Sequence, residues 1–214
     1  MTLTWFIFEI LGTVAFAFSG AVVGLSRRMD IFGISVLAVM TGVGGGMIRD
    51  VLCGITPPSA LQNPIGLLVS IATALVVSLL YPLWKLTENY RRFIIFTYNI
   101  SDTIGLAAFT VTGALTAFYT FPDSYHYLLP TMLGMITAVG GGMLRDMMAR
   151  RMPVVLYMDV YAVASAVGGL ALCILRQQSV PLPYASWTAF GLVVLLRFLA
   201  IHFKWQLYHP HRKR

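Results

Sequence analysis

Ionisable side chains are scarce in this sequence. Of its 214 residues, 11% are Asp, Glu, Lys or Arg and 58% are hydrophobic, with a mean hydropathy of +0.79. A water-soluble domain carries roughly a quarter charged residues. Too few charges are present to coat an aqueous surface, so most of the surface must face lipid. Cysteine is nearly missing: Cys53 and Cys173 both lie in apolar stretches, with no CxxC or metal-ligand spacing, and read as buried thiols. Catalytic signatures are also lacking. There is no nucleophile elbow, no phosphate-binding glycine loop and no His/Glu metal cluster, so neither an enzyme nor a cofactor or metal is expected. No Lys or Arg precedes the first apolar run, which therefore reads as a transmembrane helix rather than a cleavable signal peptide. No polar linker could set off an extramembrane domain. The expectation is one membrane domain over 1–214.

What the sequence does have is apolar windows of bilayer-crossing length, at about 5–25, 32–53, 64–84, 95–119, 128–148, 155–175 and 185–204. Short connections between them carry the Pro and charged breakers. The net charge of +7 would suggest nucleic acid in a soluble protein. Here the bases sit in loops, where orientation signals belong, and no nucleic-acid partner is expected. One side collects Arg27, Arg28, Lys85, Arg91, Arg92, Arg150, Arg151, Lys204, Arg212, Lys213 and Arg214; the other has Arg176. The positive-inside rule then places the N-terminus outside and the C-terminus in the cytoplasm.

An internal repeat organises the chain. The run Val43-Gly44-Gly45-Gly46-Met47-Ile48-Arg49-Asp50 recurs 96 residues later as Val139-Gly140-Gly141-Gly142-Met143-Leu144-Arg145-Asp146. Upstream, Glu9, Gly12, Ala15, Phe16, Ser19, Gly20 and Ala21 match Asp102, Gly105, Ala108, Phe109, Thr112, Gly113 and Ala114 at a spacing of 93. The expected fold is all-α and integral to the membrane, with seven transmembrane helices. A three-helix repeat at 5–84 is followed by a second at 95–175, inverted because three crossings is an odd number, and a final helix lies at 185–204. Inverted repeats are a transport architecture.

Three successive glycines in a membrane helix need a reason, since each weakens a helix by about 1 kcal/mol relative to Ala. One reading is close helix packing. The other is a break at Gly44–Gly46 and again at Gly140–Gly142, lining a polar passage, with Asp50 in the first turn of the half-helix that follows. Recurrence of the triplet before Arg-Asp in both repeats favours the break. Arg49, Asp50, Arg145 and Asp146 sit about one turn inside their helix ends, where charges either face a cavity or partner or snorkel to the interface. Topology puts Glu9 at the depth of Arg49 and Asp102 at the depth of Arg145, which predicts two related ion pairs at opposite ends of one pathway.

Tyr98, Asn99, Ser101 and Thr103 surround Asp102; their oxygens could replace the hydration shell of a cation, or mark an interfacial helix start. Asp159 and Arg197 are further buried-charge candidates. Gly20 and Gly24 form a GxxxG packing motif. The tail from His209 to Arg214 reads as a basic anchor to the anionic leaflet rather than a metal site.

At the doubled Gly-Gly-Gly-Met-x-Arg-Asp motif the sequence resembles the bacterial members of the trimeric intracellular cation (TRIC) channel family, some of which carry the label glycine transporter. The resemblance spans essentially the whole chain. It implies a homotrimer in a bacterial inner membrane, each subunit holding its own pore for monovalent cations, chiefly potassium. It also implies pore-lining kinks in the second and fifth spans at Gly44–Gly46 and Gly140–Gly142. Animal members bind a phosphoinositide at a lysine-bearing motif; Arg49-Asp50 and Arg145-Asp146 stand there instead. The leading expectation is a passive cation channel gated by Arg49 and Arg145. The alternative is a secondary transporter for a small amino acid such as glycine, and a non-transporting membrane scaffold is a third reading.

Overall fold

The computed structural model describes residues 2–84, 90–122, 127–156, 160–203 and 205. Its long helices are α1 (Leu3–Ser26), α2 (Ile31–Leu52), α4 (Ile65–Trp84), α5 (Tyr90–Thr120), α6 (Leu128–Met148), α7 (Tyr161–Gln177) and α8 (Leu182–His202); α3 (Ser59–Gln62) is a single turn between α2 and α4. Six of them are long and apolar enough to cross a membrane, and α7, at 17 residues, is a shorter apolar helix.

Two boundaries differ from the hydropathy windows. Helix α5 starts at Tyr90, so Arg91 and Arg92 are helical rather than in a loop. Helix α7 starts at Tyr161, because the stretch after α6 first forms a 3₁₀ turn at Val154–Leu156. The backbone N–H of Val154 donates to Asp146 Oδ2 at 2.8 Å, and with Pro153 this holds the chain against the end of α6 before a new helix can begin.

The remaining ends follow local chemistry. Asp30 caps α2, its Oδ1 accepting from Gly33 N at 2.7 Å. Helices α2 and α6 both close with a left-handed residue, Gly54 (φ 73°) and Arg150 (φ 50°), and the following amide donates back to a carbonyl five residues upstream, a Schellman-type end.

Helices α1, α2, α5 and α6 form the centre, flanked by α4, α7 and α8. Their packing is reciprocal between the repeats. Phe16 of α1 covers Gly105 of α5, while Phe109 of α5 covers Gly12 of α1, and the two rings meet edge-on with centroids 5.3 Å apart. Gly20 lies against Ala38 and the Leu37 carbonyl; its repeat counterpart Gly113 lies against Gly134 and the Leu133 carbonyl. Gly24 rests on Ile34, so both glycines of the GxxxG pack α1 onto α2.

Candidate functional site

The glycine triplets do not break their helices. Helix α2 runs unbroken from Ile31 to Leu52 and α6 from Leu128 to Met148, which corrects the expected interruption. Each glycine instead meets something different. A Cβ on Gly45 would fall on the Thr137 carbonyl oxygen, and one on Gly141 on the Thr41 carbonyl oxygen, so α2 and α6 cross here backbone against backbone. Gly44 faces Leu144 and Gly140 faces Ile48. Gly46 and Gly142 leave room for the guanidinium groups of Arg49 and Arg145, which fold back along their own helices. The cost of glycine in a helix is offset by an approach that no side chain would allow. Asp50 accordingly sits in the last turn of α2, not the first turn of a new helix.

Past the crossing, each helix carries a buried charge cluster. In the first, Arg49 is 1% exposed. Its Nε and Nη2 reach Asp50 Oδ1 at 2.9 and 2.8 Å, and Asp50 Oδ2 accepts from Ser59 N at 2.8 Å. Glu9 Oε2 lies 3.9 Å from Arg49 Nη1; neither of those two atoms has a hydrogen-bond partner. The guanidinium stands over the Trp5 ring, 5.9 Å from its centroid.

In the second cluster Arg145 is fully buried. It donates to Asp146 Oδ1 at 2.8 Å, to Asp102 Oδ1 at 2.6 Å and to Ser19 Oγ at 2.8 Å. It lies 5.1 Å from the Tyr98 ring centroid; Tyr98 is the repeat counterpart of Trp5. Arg151 adds a second guanidinium, bonding Asp146 Oδ1 from Nε at 2.8 Å and the Tyr98 hydroxyl from Nη2 at 2.7 Å.

The clusters differ in openness. A cavity of about 210 Å³ reaches Glu9, Arg49 and Asp50, with Val43, Gly46 and Ile65 among its walls. The counterpart recess at Val139, Gly142, Arg145, Asp146 and Tyr161 has no room for a water molecule.

The structure thus brings Glu9 to Arg49 and Asp102 to Arg145. The hydroxyls of Ser101 and Thr103 donate back to α5, to the carbonyls of Thr97 and Asn99, at 2.9 and 2.7 Å. Asn99 is half-buried. Arg197 is buried over the Tyr161 ring, 4.7 Å from its centroid. Cys173 is buried, whereas Cys53 is only partly so. Asp159 and the tail from 206 to 214 lie outside the described residues. Sequence reasoning counted Arg151 only as an orientation charge and gave Ser19 no role. The pairing of Ser19 with Thr112 in the repeat was the available signal for Ser19.

A helical membrane domain with two repeated arginine–carboxylate clusters, one beside a cavity and one sealed, defines a class of transport architecture. Comparison places it further. The family model described as "Glycine transporter" matches at residues 6–82 and again at 99–177. The UPF0126 inner membrane protein YadS of Escherichia coli strain K12 is 35% identical over 203 residues, covering 94% of this chain and 93% of that protein. A solved prokaryotic TRIC channel in 0.5 M KCl superposes with a TM-score of 0.86 at 30% identity, covering 97% of this chain and all of that one. A TRIC cation channel solved as the structural basis for conductance gives a TM-score of 0.82 at 32% identity, covering 97% and 98%. The chain belongs to the TRIC family, among its bacterial members, and also to the family whose model carries the glycine transporter description.

Proposed function

We propose that the chain is a channel for monovalent cations, chiefly potassium, with one conduction path in each subunit of a homotrimer in a bacterial inner membrane. The observation that carries this reading is whole-chain likeness to solved TRIC cation channels, joined to buried charges at both repeats. With the N-terminus outside, the Glu9–Arg49–Asp50 cluster faces the outer end of the path and the Asp102–Arg145–Asp146 cluster the cytoplasmic end. Arg49 and Arg145 act as charge barriers, and their carboxylate partners hold them aside or release them. Each repeat, 5–84 and 95–175, supplies one half of the path, and the final helix, 185–204, lies outside the repeat.

The family description favours a second reading, secondary transport of glycine. A carboxylate on Arg49 and an ammonium on Glu9 would fit the zwitterion. Purified protein in liposomes separates the two when potassium, sodium and glycine fluxes are measured in parallel. Potassium flux down its gradient with no glycine uptake supports the channel; saturable, competable glycine uptake without ion flux overturns it.

A further inference from the structure

The two clusters stand on the same turn but are closed differently. At the end of α2, Cys53 N donates to Arg49 O and Ile55 N to Asp50 O; at the end of α6, Ala149 N donates to Arg145 O and Arg151 N to Asp146 O. The matching turns bring residue 55 in one repeat and residue 151 in the other to the same place beside the aspartate. One is Ile and the other is Arg.

That exchange changes both charge and connectivity. The first cluster holds the carboxylates of Glu9 and Asp50 against the single guanidinium of Arg49. The second holds Asp102 and Asp146 against two guanidinium groups, Arg145 and Arg151. One has a formal excess of negative charge beside an open cavity; the other is neutral and dry. Arg151 adds a second polar tie between α6 and α5, from Asp146 to Tyr98, beside the buried Arg145–Asp102 pair. Its side chain is 26% exposed, while that of Arg145 is fully buried. Arg151 can therefore swing into water while Asp146 keeps its bond to Arg145, whereas Arg145 is buried and cannot leave without stranding Asp102.

We propose that Arg151 is the latch that shuts the path at the second cluster, and that a cation passes this end only when Arg151 lets go of Asp146 and Tyr98. This rests on the channel reading. Release gives the second cluster the formal charge of the first and leaves the Arg145–Asp102 pair as the remaining tie between α6 and α5, so the latch sets the closed population through contacts made in that state alone.

The test uses purified full-length protein in liposomes, as wild type, R151Q, Y98F and R150Q. Arg150 is the exposed neighbour and serves as the charge control. Potassium flux is read beside the rate at which a membrane-impermeant methanethiosulfonate modifies S19C in a C53S/C173S background, applied from the Arg151 side. R151Q is expected to raise both readouts about tenfold, as for charge-assisted hydrogen bonds lost from one state only. Y98F should raise both by less, and R150Q should change neither. An R151Q protein that folds and matches wild type in both overturns the latch, as does an equal rise in R150Q. If R151Q does not fold, Y98F, which keeps every charge, decides. If wild type carries no potassium yet S19C modification rises in R151Q, the latch stands and the channel reading falls.

Discussion

Gly45 and Gly141 touch across the crossing of α2 and α6: the amide nitrogen of Gly141 lies 3.1 Å from where a Cβ on Gly45 would stand. With the Thr137 and Thr41 carbonyls filling the adjoining space, the two helices meet at a distance that only glycine permits. The triplets are thus a contact between the repeats before they are anything else.

Substitution along the triplet should therefore be graded. G45A and G141A push backbone against backbone and are expected to cost about 1–3 kcal/mol, as over-packing does, or to block assembly. G46A meets nothing closer than the Arg49 guanidinium at 3.5 Å and should keep near-wild-type stability, helped by the better helix propensity of Ala. Thermal unfolding in detergent checks this. Equal damage at Gly45 and Gly46 would contradict a role set by the contact between α2 and α6.

The second cluster should be the more fragile under charge removal. Arg145 and Asp102 are both buried and 2.6 Å apart, so R145Q strands Asp102 and is expected to cost about 3–5 kcal/mol, and D102N less, because Arg145 keeps Asp146. The double variant R145Q/D102N should be milder than the sum of the two. E9Q should cost no more than about 1 kcal/mol, because Glu9 is part-exposed and 3.9 Å from Arg49. A double-mutant cycle on unfolding temperatures reads all of these; additive effects at Arg145 and Asp102 would argue against coupling.

The reciprocal aromatic contact makes its own demand. Phe16 occupies the space beside Gly105 and Phe109 the space beside Gly12, so G105A and G12A each drive a Cβ into a ring. Truncating the facing ring should relieve the strain: F16A is expected to soften G105A, and F109A to soften G12A, with no cross-rescue. Expression and melting temperature of the four pairs report it. Rescue by either ring at either glycine would deny the specific pairing.

Orientation is open to a thiol test. Cys53 follows α2 and is partly exposed, while Cys173 is buried. With the N-terminus outside, an impermeant maleimide should label Cys53 in intact cells and leave Cys173 unlabelled. Labelling of Cys53 only after the membrane is opened would invert the proposed orientation.

Much of this was legible because membrane helices leave coarse traces. Long apolar runs locate α1, α2, α4, α5, α6 and α8, and the doubled motif finds both arginine–carboxylate pairs, since charges buried together must recur together in a repeat. The unbroken helices were not legible. Gly-Gly-Gly weakens a helix taken alone, and only a second triplet packed against the first reveals the compensation. Arg151 was hidden for a related reason: a loop arginine reads as an orientation charge until a turn folds it onto Asp146. The sequence also does not show that the hydroxyls of Ser101 and Thr103 donate back to their own helix.

Single-channel recording of the purified protein in a planar bilayer bears most directly on the proposed activity. Discrete potassium current steps are expected, with a voltage dependence altered when Arg49 and Arg145 are both replaced. A silent bilayer from protein that takes up glycine in liposomes would contradict the channel, and steps unchanged by the double replacement would contradict the role given to the two arginines.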